Sequence, residues 1–285
     1  MMLEDEFSLT PQEPPISVGI AGCGAMGLPM ANNLAKSGFD VCGYDIRPHS
    51  EFPSLHQTLC NDAQQLLTHC SIVLSVVRDA KQTDELCFGH NGLFSGSQAP
   101  KTLVICSTLS TKYIQHLRQR IPDSTHLVDA PMSGAPYRAE NGSLTFMLGG
   151  EETIIADLMP LFNAMGDEIH YLGPLGSGMT CKVLNNMLAA TSTVAVRQVM
   201  QASEALGFPV EKLLEVARSS SGATWFGDNF DAISWSREGY DPHNTIGILE
   251  KDVRSLQDTI VDQDELTLNH FSEEIIKSLK KLTPN

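Results

Sequence analysis

Residues 16–38 read ISVGIAGCGAMGLPMANNLAKSG. A short apolar run (16–21) leads directly into Gly22-Cys23-Gly24-Ala25-Met26-Gly27, and a helix-spaced stretch follows and stops at Gly38. The order is strand, glycine turn, helix. Gly22 permits the tight turn, Gly24 lets a pyrophosphate approach the backbone, and Gly27 lets the helix pack against the strand. The helix N-terminus, with Ala25 and Met26 leading into it, then faces the phosphates. A second strand, 40–44 (DVCGY), ends at Asp45, about 20 residues beyond the turn, where a carboxylate grips a ribose 2′-hydroxyl. Asp45 favours NAD over NADP. Arg47, two residues on, could stack on adenine or pair with a 2′-phosphate. A lone glycine turn could serve packing only; two strands, a helix and an acid around it make a dinucleotide site.

The alternation continues outward from this unit. Strands at 71–77, 102–106, 125–130 and 168–172 are separated by helical stretches near 62–69, after Asp79, at 111–120 and at 151–165. This pattern specifies a doubly wound parallel sheet. The strand ends Val76, Val77 and Arg78, and then Thr108, fall on its carboxyl edge, where a nicotinamide arm would lie. From 176 to 206 the chain has no Gly or Pro after Gly178, and it reads as one long helix opened by a glycine turn. Lys182, Asn186, Arg197 and Glu204 along it exclude a membrane span. Lys182 and Asn186 stand four apart, so they share one face. They could serve a site, or be a solvated lysine and an amide satisfying the backbone. Beyond Leu206 only helices are expected (210–219, 245–261, 269–282). The fold class is therefore α/β: a Rossmann-type doubly wound parallel sheet followed by an all-α C-terminal domain, joined by one long helix. The expected divisions are a flexible tail over 1–14, a dinucleotide-binding domain over 15–175 and a helical domain over 176–285.

A formal charge of −15 over 285 residues argues against nucleic acid and anionic membrane surfaces as partners, which need clustered Lys and Arg. An anionic substrate must then meet a local positive pocket. Seven cysteines, odd in number and without a C-x-x-C pair, encode neither a disulfide framework nor a metal site. Reduced thiols in a cytoplasm fit this usage. The acidic, proline-containing N-terminus is unlike a cationic targeting peptide.

Residues 129–150, DAPMSGAPYRAENGSLTFMLGG, place Ser133-Gly134-Ala135 ahead of a short helix, offering backbone N–H groups and a hydroxyl to a carboxylate; the serine could equally be an N-cap. This block, the glycine-turn block, GSGMTCKVLNN (176–186) and LEKDV (249–253) together resemble the β-hydroxyacid dehydrogenase family, which includes 3-hydroxyisobutyrate, tartronate semialdehyde and L-threonate dehydrogenases. The resemblance implies a cleft between the two domains and a homodimer or homotetramer built through the helical one. It implies Lys182 as catalytic acid/base, Asn186 as a substrate-holding partner, Ser133-Gly134 with Ala135 as the carboxylate cradle, and Lys251 closing over the cofactor. Ala135 stands where the family usually has Gly. The expected activity is hydride transfer between NAD(H) and a small hydroxy acid of three to five carbons, glycerate- or threonate-like. Arg138 is expected to add positive charge to the cleft, with Tyr137 and Asn229 as contacts to a second hydroxyl. The alternatives are an NADPH-using reductase of a small semialdehyde or 2-oxo acid, and a catalytically silent nucleotide-binding relative. A silent relative would keep Gly22 to Gly27 but have no need of Lys182.

Overall fold

In the computed structural model, which describes residues 16–55, 58–263 and 265–284, the strands form one nine-stranded sheet. The strands are β1 (Ser17–Ala21), β2 (Asp40–Tyr44), β3 (Leu59–Cys60), β4 (Ile72–Ser75), β5 (Thr102–Ile105), β6 (His126–Asp129), β7 (Met132–Ser133), β8 (Leu144–Gly149) and β9 (Gly166–Gly173). Their spatial order is β3-β2-β1-β4-β5-β6-β8-β7, with β9 against β8. Strands β1 to β6 pair in parallel. The direction of winding reverses between β1 and β4, which opens a crevice above their carboxyl ends.

The connecting helices are α1 (Gly27–Lys36), α2 (Ala63–Leu67), α3 (Ala80–Phe88), α4 (Thr111–Arg120), α5 (Pro136–Glu140) and α6 (Glu152–Met165). Asp62, Asp79 and Ser110 cap α2, α3 and α4 by accepting from the backbone N–H of the residue three positions on, which fixes where each helix starts. The central strands β1, β4, β5 and β6 are buried on both faces, whereas β9 is largely exposed. Val18, Ile20, Val104 and Val128 pack with Met30, Leu34 and Phe162 on one side, and Val73, Leu103 and Ile105 with Leu66, Ile114 and Leu117 on the other. Such burial explains the continuous apolar runs of the parallel strands.

Two features differ from the expectation of a purely parallel sheet. Strand β8 runs antiparallel to β6 and β7, and β9 then pairs in parallel with β8. The run LTFMLG is bounded by Asn141-Gly142 and Gly149-Gly150 but is short and lacks a clean polar–apolar alternation; pairing with β6, β7 and β9 makes it a strand.

The remainder is helical: α7 (Ser177–Ala205), α8 (Val210–Arg218), α9 (Trp225–Asp228), α10 (Thr245–Thr259) and α11 (Leu268–Leu279). Val183, Met187, Ala190 and Val194 of α7 pack on Leu249, Val253 and Leu256 of α10 and on Ile275, Ile276 and Leu279 of α11. Arg197, 1% exposed, donates to the carbonyls of Ser236, Glu238 and Thr283 and so ties the loop before α10 and the segment after α11 to α7. The N-terminal stretch expected to be a tail lies outside the described residues.

Candidate active site

The glycine turn has the shape that a dinucleotide requires. Gly22 has φ +97, and a Cβ there would meet the Val76 carbonyl oxygen at 2.7 Å, so the end of β4 abuts the turn. A Cβ on Gly27 would meet the Gly22 carbonyl oxygen at 1.9 Å, which makes the close approach of α1 to β1 possible only without a side chain. A Cβ on Gly24 would meet nothing within 4 Å, so that position faces open space. Met26 precedes α1 without a side-chain cap, and the N–H groups of Ala25, Met26 and Gly27 have no hydrogen bond among the described residues. Open space in front of unpaired donors at a helix start fits a pyrophosphate.

Asp45 sits beside this turn. Its Oδ2 accepts from the Cys23 N–H at 2.8 Å, and its Oδ1 from the Arg47 N–H and Nε, both at 3.0 Å. Burial alone would raise its carboxyl, but these bonds outweigh burial and hold it below the ordinary carboxylate range.

The second half of the site lies where α7 meets α10. Lys182 is 6% exposed, and burial pushes it down to about 8, helped by Lys251 and opposed by Asp252. Asn186, one turn on, donates to Asp252 Oδ2 at 2.5 Å. Asp252 Oδ1 has no aligned hydrogen bond, yet lies 2.7 Å from Lys251 Nζ, an ion pair rather than a directed bond. Lys251 Nζ also donates to the Thr108 carbonyl at 2.7 Å, joining α10 to the end of β5. Lys182, Asn186, Lys251 and Thr108 are therefore brought to one place. Asp252 was missed by the sequence reading. Its signal was a carboxylate on the apolar stripe Ile246, Leu249, Val253 and Leu256, where a charge needs a partner.

Asp129 was missed as well. It is fully buried at the end of β6, and its two oxygens accept from the Gly176 N–H at 2.6 Å and the Met179 N–H at 2.7 Å. Burial pushes its carboxyl up to about 6 against the pull of these donors. Beside it, a Cβ on Gly178 would meet the Met147 carbonyl oxygen at 2.2 Å, so α7 starts in contact with β8. Strand β7 pairs with β8 through Met132–Phe146 and Ser133–Thr145, so the segment 132–135 borders the strand that the first turn of α7 abuts. The N–H groups of Gly134 and Ala135 have no hydrogen bond among the described residues. Ala135 sits before α5 in an ordinary extended conformation, so its methyl is accommodated without strain.

Of three further expected residues, Arg138 packs beside Gly134, where a Cβ would meet the Arg138 Cβ at 3.1 Å, but its charge is taken up, and Asn229 lies elsewhere. Arg138 donates to Asp167 at 3.0 Å and is spent on that pair. Asn229 bonds the Trp225 carbonyl at the end of α9, which packs beside Val196, ten residues and about 15 Å along α7 from Asn186. Tyr137 is 56% exposed. Val77 accepts from the Ser107 hydroxyl at 2.6 Å, and Arg78 reaches across to the Pro242 carbonyl ahead of α10.

Residues 17–173 match the NAD binding domain of 6-phosphogluconate dehydrogenase, and residues 176–280 match the NAD-binding domain of NADP-dependent 3-hydroxyisobutyrate dehydrogenase. The chain belongs to the β-hydroxyacid dehydrogenase family. It is 34% identical to the 2-hydroxy-3-oxopropionate reductase of Escherichia coli over 68% of each chain. It is 29% identical to the mitochondrial 3-hydroxyisobutyrate dehydrogenase of Rattus norvegicus over 80% of this chain and 69% of that one. In fold it resembles the Mycobacterium tuberculosis 3-hydroxyisobutyrate dehydrogenase solved with L-serine: TM-score 0.79, 22% identity, 95% of this chain and 97% of that chain covered. Membership makes the chain an oxidoreductase with NAD(P)-binding domains, which agrees with the fit of the glycine turn to a dinucleotide. Among the described residues no helix is long and apolar enough to cross a membrane.

Proposed function

We propose that this member of the family oxidises a small hydroxy acid with NAD, reversibly, and that Lys182 is its general acid/base. The observation that carries the reading is the Lys182 ammonium, buried between α7 and α10 and pushed down to about 8, beside Asn186 and Lys251. A bound nicotinamide would supply the hydride acceptor. The neutral Lys182 Nζ takes the substrate hydroxyl proton, and in the reverse direction the charged form returns it to a carbonyl oxygen. Asp252 accepts from the Asn186 amide N–H₂ and holds it from behind, while the amide oxygen accepts from Asn185 Nδ2 at 3.2 Å and keeps its second lone pair for the substrate. Lys251, anchored on Thr108, closes the nicotinamide end of the crevice.

The substrate we propose is a carboxylate of three to five carbons, glycerate- or threonate-like before 3-hydroxyisobutyrate. Ser133, Gly134 and Ala135 hold the carboxylate through the hydroxyl and free N–H groups. With Arg138 committed to Asp167, the cleft has too few cations for an added phosphate. The test compares glycerate with its amide and with glycerol under identical NAD concentrations. Loss of turnover by about 10³–10⁴ on removing the charge is expected, because buried donors are left unpaired. Comparable turnover of the uncharged analogues refutes the cradle. We also propose a homodimer through α7, because its outer face carries Leu184, Leu188, Val199 and Leu206 exposed. A reducing compartment such as the cytoplasm suits the seven free thiols, six of them buried.

A further inference from the structure

Next to the glycine turn, Arg47 is more heavily engaged than a residue waiting for a phosphate would be. Its Nη2 donates to the Cys23 carbonyl at 3.1 Å and reaches Asp45 Oδ2 at 3.3 Å; its Nε donates to Asp45 Oδ1 at 3.0 Å, and its Nη1 to Glu51 Oε2 at 3.4 Å. One face of the guanidinium rests on the Phe52 ring, 4.7 Å from its centre, and Phe52 is itself 1% exposed. The side chain is nevertheless 45% exposed. A flat cation is thus clamped edge-on by two carboxylates and a carbonyl, supported beneath by a fixed aromatic ring, and left open on the other face.

We infer that Arg47 is a stacking platform for the adenine ring and not a receptor for a 2′-phosphate, and that Glu51 joins Asp45 in keeping it so. The inference rests on the dinucleotide reading of the glycine turn. Two chemical demands separate the roles. A 2′-phosphate carries about −1.5 to −2 charges and needs the fork of N–H donors, but here the fork is already given to Asp45, Glu51 and Cys23. It would also be driven against both carboxylates. Adenine needs only the open face of a planar, delocalised cation, and stacking consumes none of those donors. The 3.3 Å contact to Asp45 Oδ2 is the longest that the carboxylate accepts, so a ribose hydroxyl could displace it at little cost. Glu51 lies four residues past Arg47 in the turn His49–Glu51, which brings its carboxylate to the outer edge of the guanidinium.

The test is direct binding of NADH and NADPH, followed by nucleotide fluorescence and by calorimetry, on the wild type and on Arg47→Ala, Arg47→Lys, Glu51→Gln and Asp45→Asn. The wild type should bind NADH at least about tenfold more tightly than NADPH. Arg47→Ala should weaken both nucleotides by a similar factor, about three- to tenfold, and Arg47→Lys should not restore them, because an ammonium keeps the charge but loses the plane. Glu51→Gln should improve NADPH binding alone, by about two- to fivefold, as expected for loss of a partly exposed charge. Selective loss of NADPH in Arg47→Ala with rescue by Arg47→Lys would overturn the platform and make Arg47 the phosphate receptor. So would equal affinity of the wild type for the two nucleotides. Binding of neither nucleotide to a folded wild type refutes the dinucleotide reading itself, and the inference falls with it.

Discussion

A lysine held at 6% exposure must justify its burial by chemistry or by pairing, and Lys182 is only partly paired, with Asp252 opposing its desolvation and Lys251 adding to it. Two outcomes follow. Oxidation requires the neutral amine, so kcat should climb tenfold per pH unit up to about 8 and then level, while the reductive direction should decline above the same point. A profile flat through that region would remove Lys182 from the proton path. The folded-state value lies below the unfolded one, so between about 8 and 10.5 the unfolded chain binds more protons and stability rises with pH. Below that window the buried charge is a cost, at most about 3 kcal/mol. Lys182→Met should therefore lower kcat by about 10²–10⁴ and raise the melting temperature at neutral pH. Loss of activity with a lowered Tm would indicate a structural lysine.

Among the elements, the long helix α7 delivers Lys182, and its seat on the sheet is set by Asp129. A carboxylate facing the start of a 29-residue helix satisfies backbone donors and opposes the helix dipole, and Gly178 allows the backbone to reach β8. Asp129→Asn keeps the size but turns an N–H₂ toward a backbone N–H. The expected cost is about 1–3 kcal/mol in urea unfolding. Because α7 is then free to shift at its first turn, kcat should fall more than nucleotide affinity does. Unchanged stability would mean that Asp129 does not hold the helix. Its acid behaviour has the opposite sign to that of Lys182: its folded-state value, about 6, lies above the ordinary 3.8, so the native state binds the extra proton and this contribution weakens as pH rises through that interval. The helix itself was legible from its lack of Gly and Pro, since propensity and length are local. The carboxylate that seats it was not, because a single acid at a strand end carries no spacing signal.

For the whole molecule, α7 presents two faces with different duties. Lys182 and Asn186 look inward to α10, while Leu184 and Leu188, offset by two residues and so by about 200°, look outward. Leu188 is 73% and Leu206 84% exposed, and α8 alongside has no buried residue at all. A second copy covering this stripe would remove the cost of leaving it in water. Leu188→Glu should then shift sedimentation from dimer to monomer and lower Tm, with the nucleotide still bound. A wild type that sediments as a monomer at micromolar concentration would dismiss the dimer. The same duality explains why the sequence read this helix only as mostly apolar: both stripes contribute, and only one is buried within the chain.

What the sequence determined by itself was whatever is written in short-range spacing: the glycine turn, the acid at Asp45, the alternation of parallel strands with helices, the Lys182–Asn186 pair and the helical second half. Each follows from steric rules or periods that act over fewer than about 20 residues. The tertiary structure decided what depends on partners distant in the chain. It made 144–149 a strand by offering it neighbours, spent Arg138 on Asp167, kept Asn229 away from Lys182, and set Asp252 against Asn186 and Asp129 against the start of α7. The physical reason is burial. A charge placed among apolar neighbours must find its complement wherever the fold brings one, and that complement can lie 47 positions away, as from Asp129 to Gly176, or 66, as from Asn186 to Asp252.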